Sequence, residues 1–308
     1  MHIFFMICLA LAVIGLYCLY RYVFGVDERR LAKDDEVPYG ARYQKYQEWV
    51  TCNIREFKEA PYEEVQIIAR DGTKLFGRYF HMAEGGPVIL MFHGYRSSAY
   101  RDAMGAFKIS KECGYNLLVV DQRAHHGSGG HTITFGVKER YDCLDWISFI
   151  NEHFGKETKI FLVGLSMGAS IVLMAAGFDL PENVKGIMAD CGYSTPRDIL
   201  CSVIKSMRLP VKPVYFLIRL SAILFGGFDP DSASANEALK QCKIPVLFIH
   251  GESDSLVPCD MGKANYEACM AEKELFLVPE ADHGMSYLHD SKKYMDVTKA
   301  FIERSFEK

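Results

Sequence analysis

No excess of positive charge marks this chain: 35 Lys and Arg stand against 39 Asp and Glu in 308 residues, a net charge of -4, so nothing points to nucleic acid as a partner. Neither an internal repeat nor a low-complexity tract is present, and the chain reads as globular. The ten cysteines form no C-x-x-C pair and no zinc-ligand spacing. They read as reduced, mostly core thiols, which suits a reducing compartment. No Lys or Arg precedes the first apolar segment and no small-residue cleavage site follows it, which argues against a cleaved secretory signal.

That segment, Ile3 to Tyr20, carries no charge, and with Tyr22 to Phe24 it is long enough to cross a bilayer as a helix. Residues 1–25 therefore read as a transmembrane anchor. Arg21, Arg29, Arg30 and Lys33 follow the span, so the positive-inside rule points the remainder toward the cytoplasm. Residues 26–60 read as a charged juxtamembrane linker and an amphipathic helix with Tyr39, Tyr43, Tyr46 and Trp49 at helical spacings.

Residues 61–308 read as one large α/β domain, and 49% hydrophobic residues suffice for its core. From Val65 the period becomes two, with strands Val65 to Arg70 and Lys74 to His81 joined at Asp71-Gly72. The apolar runs at Pro87 to Phe92, Asn116 to Val120, Ile160 to Val163, Val184 to Asp190, Ile244 to His250 and Glu274 to Val278 read as further strands. Helical patterns over Arg101 to Cys113 and Gly136 to Phe154 alternate with them, which predicts a doubly wound, mostly parallel sheet. An insertion at about 194–236, rich in apolar residues and broken by Pro196, Pro210 and Pro213, reads as a helical cap over the site. Its rivals are ordinary core helix and a second membrane-contacting surface.

The stretch KIFLVGLSMGASIVLMAAG, Lys159 to Gly177, predicts a strand, a sharp turn at Ser166 and a buried helix. A serine hydroxyl needs a positioned base, and His283, in PEADHG after the last strand, is the best-placed imidazole; His289 reads as helical. The imidazole in turn needs a carboxylate, and Asp254, in HGESDSLVP, fits the chain order. Asp190 is the fallback acid. Backbone N–H groups of Met167 and Tyr95 read as the oxyanion donors. His93 and His250 read as structural, and His125, His126 and His131 have no carboxylate or cysteine at a spacing that fits a metal. No metal and no cofactor is expected.

The segments HGYRSS, DQRAHHGSGG, GLSMG, HGESDSLVP and ADHG resemble the successive landmarks of the α/β-hydrolase superfamily, particularly bacterial membrane-anchored serine hydrolases similar to serine aminopeptidases and monoacylglycerol lipases. The resemblance covers Glu63 to Phe306. It implies Ser166, Asp254 and His283 as a triad with Tyr95 and Met167 as the oxyanion pair. One departure is visible: such relatives read D-x-R-G-x-G-x-S-x-G, whereas Ala124, His125 and His126 stand in that turn here. The activity expected is a serine hydrolase, foremost a carboxylesterase acting on a small-molecule ester with an apolar acyl or alcohol part. A peptidase or thioesterase on the same triad is the alternative. A catalytically silent, membrane-tethered interaction protein is the reading from another class.

Overall fold

A computed structural model describes residues 2–26, 28–33 and 41–307; Tyr39 lies outside them, so its place in the expected helix has no structural counterpart. One sheet of eight strands carries the fold: β1 (Glu63–Ile68), β2 (Lys74–Phe80), β3 (Val88–Phe92), β4 (Asn116–Asp121), β5 (Ile160–Leu165), β6 (Val184–Asp190), β7 (Val246–Gly251) and β8 (Lys273–Val278). Their order is β1-β2-β4-β3-β5-β6-β7-β8. The β1–β2 hairpin and the β2–β4 pair are antiparallel, and every pair beyond is parallel. Strands β3, β4 and β7 are buried at every residue. That is why they read as unbroken apolar runs, since helices cover both sheet faces.

The helices are α1 (His2–Val23), α2 (Ala41–Gln44), α3 (Gln47–Glu59), α4 (Ala99–Asp102), α5 (Met104–Cys113), α6 (Glu139–Phe154), α7 (Met167–Ala175), α8 (Pro196–Ser206), α9 (Val211–Ser221), α10 (Ala235–Leu239), α11 (Cys259–Ala268), α12 (Ser286–His289) and α13 (Ser291–Phe306). One core packs Trp146, Ile171, Ile218 and Phe24 against the sheet; the other packs Val50, Phe57, Phe107 and Phe301 against the opposite face. Helix α3 thus joins the second core through Val50, Ile54 and Phe57, the buried stripe of an amphipathic helix.

Two boundaries differ from expectation for local reasons. The helix expected from Gly136 begins at Glu139, because Phe135 and Gly136 sit at φ 54° and 95°. The Glu139 carboxylate then accepts from the Thr134 and Gly136 amides at 2.7 and 2.8 Å, satisfying donors ahead of the helix. The helix expected over 101–113 is split in two, α4 and α5, at Ala103.

The segment after α1 is not a free linker at its start. Phe24 is fully buried, edge-on to Phe135 and Phe228. Gly25 bridges to Thr132, and the Ala32 amide donates to the Arg96 carbonyl at 2.9 Å. The apolar helix α1 therefore runs directly into the domain core. Of the ten cysteines, all are free thiols; Cys143, Cys191, Cys242 and Cys269 are buried, while Cys8, Cys18 and Cys52 are exposed.

In the turn after β4, Ala124 and His126 adopt φ 64° and 41°, the left-handed conformations that glycine at those positions would take without strain. The turn is held by Arg123, which donates to Asp142 at 2.7 Å and to Asp71 at 2.8 Å. Both Arg123 and Asp142 are buried, so Arg123→Met leaves a carboxylate uncompensated in the core. Its expected cost is about 3–5 kcal/mol of unfolding free energy, read by chemical denaturation in detergent.

Candidate active site

Ser166 sits between β5 and α7 at φ 55°, ψ -114°, a strained conformation for a residue with a Cβ. Two glycines permit the crossing. A Cβ at Gly164 would lie 2.3 Å from the Gly168 carbonyl carbon, and one at Gly168 would lie 2.0 Å from the Phe92 carbonyl oxygen. The turn thus lifts the hydroxyl above the carboxyl edge of the parallel strands, with the start of α7 behind it.

The three residues that sequence reasoning placed far apart meet here. His283 Nε2 lies 2.9 Å from Ser166 Oγ, and its Nδ1 lies 2.8 Å from Asp254 Oδ2. With the Nδ1 proton donated to the carboxylate, Nε2 is free to accept from the serine hydroxyl. The Asp254 side chain is fully buried and accepts from the Leu256 and Val257 amides at 2.9 and 2.8 Å. Burial alone would raise its pKa, but hydrogen bonds from His250 and His283 outweigh that and hold the carboxyl well below the usual carboxylate range. It stays ionised beside the imidazole. Cys191 Sγ lies within 4.8 Å of the Asp254 and His283 ligand atoms. Burial, with Asp190 and Asp254 nearby, pushes that thiol well above its ordinary pKa.

Asp190 is placed differently. Its carbonyl accepts from the Ser166 amide at 2.8 Å and its carboxylate accepts from Ser286 Oγ at 3.1 Å, so it braces the nucleophile turn from below. Burial raises its pKa to about 6. A raised carboxyl pKa contributes stability below the unfolded value near 3.8 and loses it as pH rises through about 6. Relative to Asp190→Asn, the unmodified protein is expected to lose stability across that window, by about 3 kcal/mol between pH 3.8 and about 6. Denaturation curves of both proteins at several pH values measure the difference.

The Tyr95 and Met167 amides donate to no protein acceptor among the described residues. Their neighbours are fastened: the Gly94 amide donates to Asp102 Oδ2 at 2.7 Å and the Arg96 amide to His125 Nε2 at 3.0 Å. His125 is fully buried, and desolvation first, with His93 second, drives its pKa well below the ordinary value, so a neutral ring accepts that proton. His93 likewise makes structural bonds, accepting from the Gln122 amide at 3.2 Å. Two free amides flanked by bound ones fit a carbonyl oxygen taking on charge.

Sequence reasoning missed three supporting residues, Asp102, His125 and Asp282, and read His250 as structural without its partner. His250 Nε2 lies 3.3 Å from Asp254 Oδ2 and donates to the Val257 carbonyl, four residues before the acid it steadies. Asp282 accepts from Ser255 Oγ and from the His283 amide, tying the loops of acid and base together. Asp102 and His125 hold the loop around Tyr95. Only the spacing of His250 and Asp254 was a visible signal.

A cavity of about 250 Å³ opens beside Ser166, near the small end of ligand pockets. Tyr43, Tyr95, Arg101, Leu256, His283 and Tyr287 are among its walls. Residues 194–236 contribute none of its lining; the insertion expected over the serine packs instead against α1, through α9 and the Ala222–Gly226 turn.

Comparison with known proteins gives the family context. A profile described as alpha/beta hydrolase fold matches residues 87–204, and one described as serine hydrolase matches residues 197–285. The Bacillus subtilis uncharacterized protein YqkD is 28% identical over 193 residues, 62% of this chain and 63% of that protein, so the match spans under two thirds of this relative's length. The lysophosphatidylserine lipase ABHD12 of Danio rerio is 27% identical over 198 residues, 61% of this chain and 49% of that protein. The Pyrococcus furiosus esterase Pf2001 superposes with TM-score 0.66 at 21% identity, covering 91% of this chain and 99% of that one, a likeness of fold.

Proposed function

Starting from a chain that belongs to the α/β-hydrolase superfamily as a serine hydrolase, we propose that it is a membrane-anchored carboxylesterase working through Ser166, His283 and Asp254. The observation that carries the reading is the hydrogen-bonded chain from the Ser166 hydroxyl through the His283 ring to the Asp254 carboxylate.

Ser166 Oγ attacks the ester carbonyl while His283 Nε2 takes its proton, and the negative charge on the carbonyl oxygen falls to the Tyr95 and Met167 amides. The C–O bond to the alcohol breaks as His283 returns the proton to the leaving oxygen. Water, deprotonated by the same ring, then attacks the acyl-serine and releases the acid. Asp254 keeps the ring oriented and stabilises its charged form without taking its proton. Residues 61–308 are the catalytic unit in this reading, with 194–236 inserted in it. The span α1 anchors it with the domain on the cytoplasmic face, as the basic residues after the span argue.

A panel of short and long p-nitrophenyl esters, acyl thioesters and aminoacyl amides tests the substrate class. Turnover of the esters above the other two is expected. Turnover of thioesters alone or amides alone assigns the triad to a thioesterase or peptidase instead.

A further inference from the structure

Helix α9 and the turn after it are apolar on both sides. Tyr215, Ile218 and Ala222 face the core, while Phe216, Leu217, Ile223 and Leu224 are 63%, 42%, 44% and 58% exposed. The exposed set recurs at helical spacing, so one continuous stripe of large apolar side chains faces outward. Met207 and Leu209, in the turn between α8 and α9, extend it at 53% and 43% exposure. Patches of this kind on soluble proteins are uncommon without a partner.

Its position identifies the partner. Phe225 packs its ring edge-on to Tyr17 of α1 at 5.3 Å and against Tyr20 at 5.9 Å. Tyr17 lies seven residues before Phe24, about 10 Å further along the helix axis from the point where α1 enters the domain core. The joint between α1 and the domain is fastened. Tyr95 Oη donates to the Val23 carbonyl at 2.7 Å, and Arg96 Nη2 donates to the Tyr22 and Gly25 carbonyls, each at 2.9 Å. These bonds satisfy carbonyls that the end of a helix leaves without intrahelical partners. The depth of α9 is therefore set by the depth of α1. If α1 crosses a bilayer, the outer face of α9 lies where the acyl chains begin.

The charges agree. Arg219, within α9, is paired with Asp229 at 2.7 Å and Asp231 at 3.1 Å, so it needs no further counter-ion. Lys205, Arg208 and Lys212 are exposed around the turn that opens α9, where lipid phosphates would meet them.

We propose that the outer face of α9 and the Ala222–Gly226 turn is a second membrane seat, buried in the acyl-chain boundary of the bilayer beside α1. Two contacts then hold the catalytic domain in one orientation on the membrane, with the Tyr95 loop at the joint. The inference rests on α1 being a membrane span and is independent of the substrate class.

Because α1 alone would retain the protein in a membrane, flotation cannot read the second seat, whereas immersion of individual positions can. Full-length Phe216→Trp and Leu224→Trp proteins are reconstituted into phosphatidylcholine–phosphatidylglycerol vesicles whose acyl chains carry bromine, a contact quencher of tryptophan. Val13→Trp in the middle of α1 is the immersed reference. Ile68→Trp, 67% exposed on β1, is the reference in water, and the background of Trp49 and Trp146 is subtracted. Quenching at 216 and 224 well above position 68 and approaching position 13 is expected. Quenching at 13 with none at 216 or 224 overturns the second seat and leaves the anchor intact. A cross-link between copies through position 216 in that case assigns the face to a second copy of the chain. Absence of quenching at 13 overturns the anchor itself, and the seat with it.

Discussion

Ser166→Ala is expected to lower kcat on the preferred ester by about 10⁶-fold while the protein remains folded. The hydroxyl makes the only bond to the acyl group in the proposed cycle, and no other side chain in the turn replaces it. Removing it takes away covalent chemistry and leaves binding and the two amides, which retain a residual effect over water. Stability is expected to move little, because alanine meets the same φ of 55° with the same Cβ and loses only the bond to His283. His283→Ala is expected to cost about as much, and the double variant no more than either single one, since the two residues act as one unit. Additive losses would mean that serine and histidine serve separate steps. Single-turnover and steady-state rates of the three variants, with thermal unfolding as the control, make the comparison.

Asp254→Asn is expected to lower kcat by about 10⁴-fold with KM changed much less. The asparagine oxygen can keep the Leu256 and Val257 amide bonds, so the loop persists. What fails is the tautomer. An amide NH₂ facing His283 Nδ1 donates where the carboxylate accepted, the ring proton moves to Nε2, and that nitrogen no longer takes the proton of Ser166. His250 sharpens the expectation, since its Nε2 also donates toward this carboxylate and would face the same mismatch. Asp190 does not rescue the variant, because its carboxylate is engaged by Ser286 rather than by His283. A loss of only a few fold would give the acid a minor part and move the weight to serine and histidine alone.

Much of this was legible before the coordinates. The two-residue period at the hairpin, the apolar runs of the parallel strands and the glycines around Ser166 each follow from local backbone or burial demands that leave a mark in the residue pattern. The chain order of Ser166, Asp254 and His283 and the apolar runs before them set the candidate nucleophile, acid and base after β5, β7 and β8. What was not legible depends on contacts between distant segments. That His125 takes the Arg96 amide and that Asp282 joins two loops are pairings between separate segments with no signature in spacing. The apolar insertion was read first as a cap over the serine, with core helix and a membrane-contacting surface as rivals, and its composition did not choose among them. Amphipathicity says that a helix has a second apolar face, and only the packing of Phe225 on Tyr17 says where that face points. The segment after α1 read as a linker because its composition is charged; the burial of Phe24 and the bonds from Arg96 show that composition alone does not reveal docking.

The central claim is that one imidazole makes one hydroxyl reactive. Full-length protein in detergent is treated with a fluorophosphonate, digested and sequenced by mass spectrometry. A single adduct on the peptide carrying Ser166, lost in both Ser166→Ala and His283→Ala, is the predicted result. An unmodified Ser166, or an adduct that survives the loss of His283 undiminished, would contradict the account.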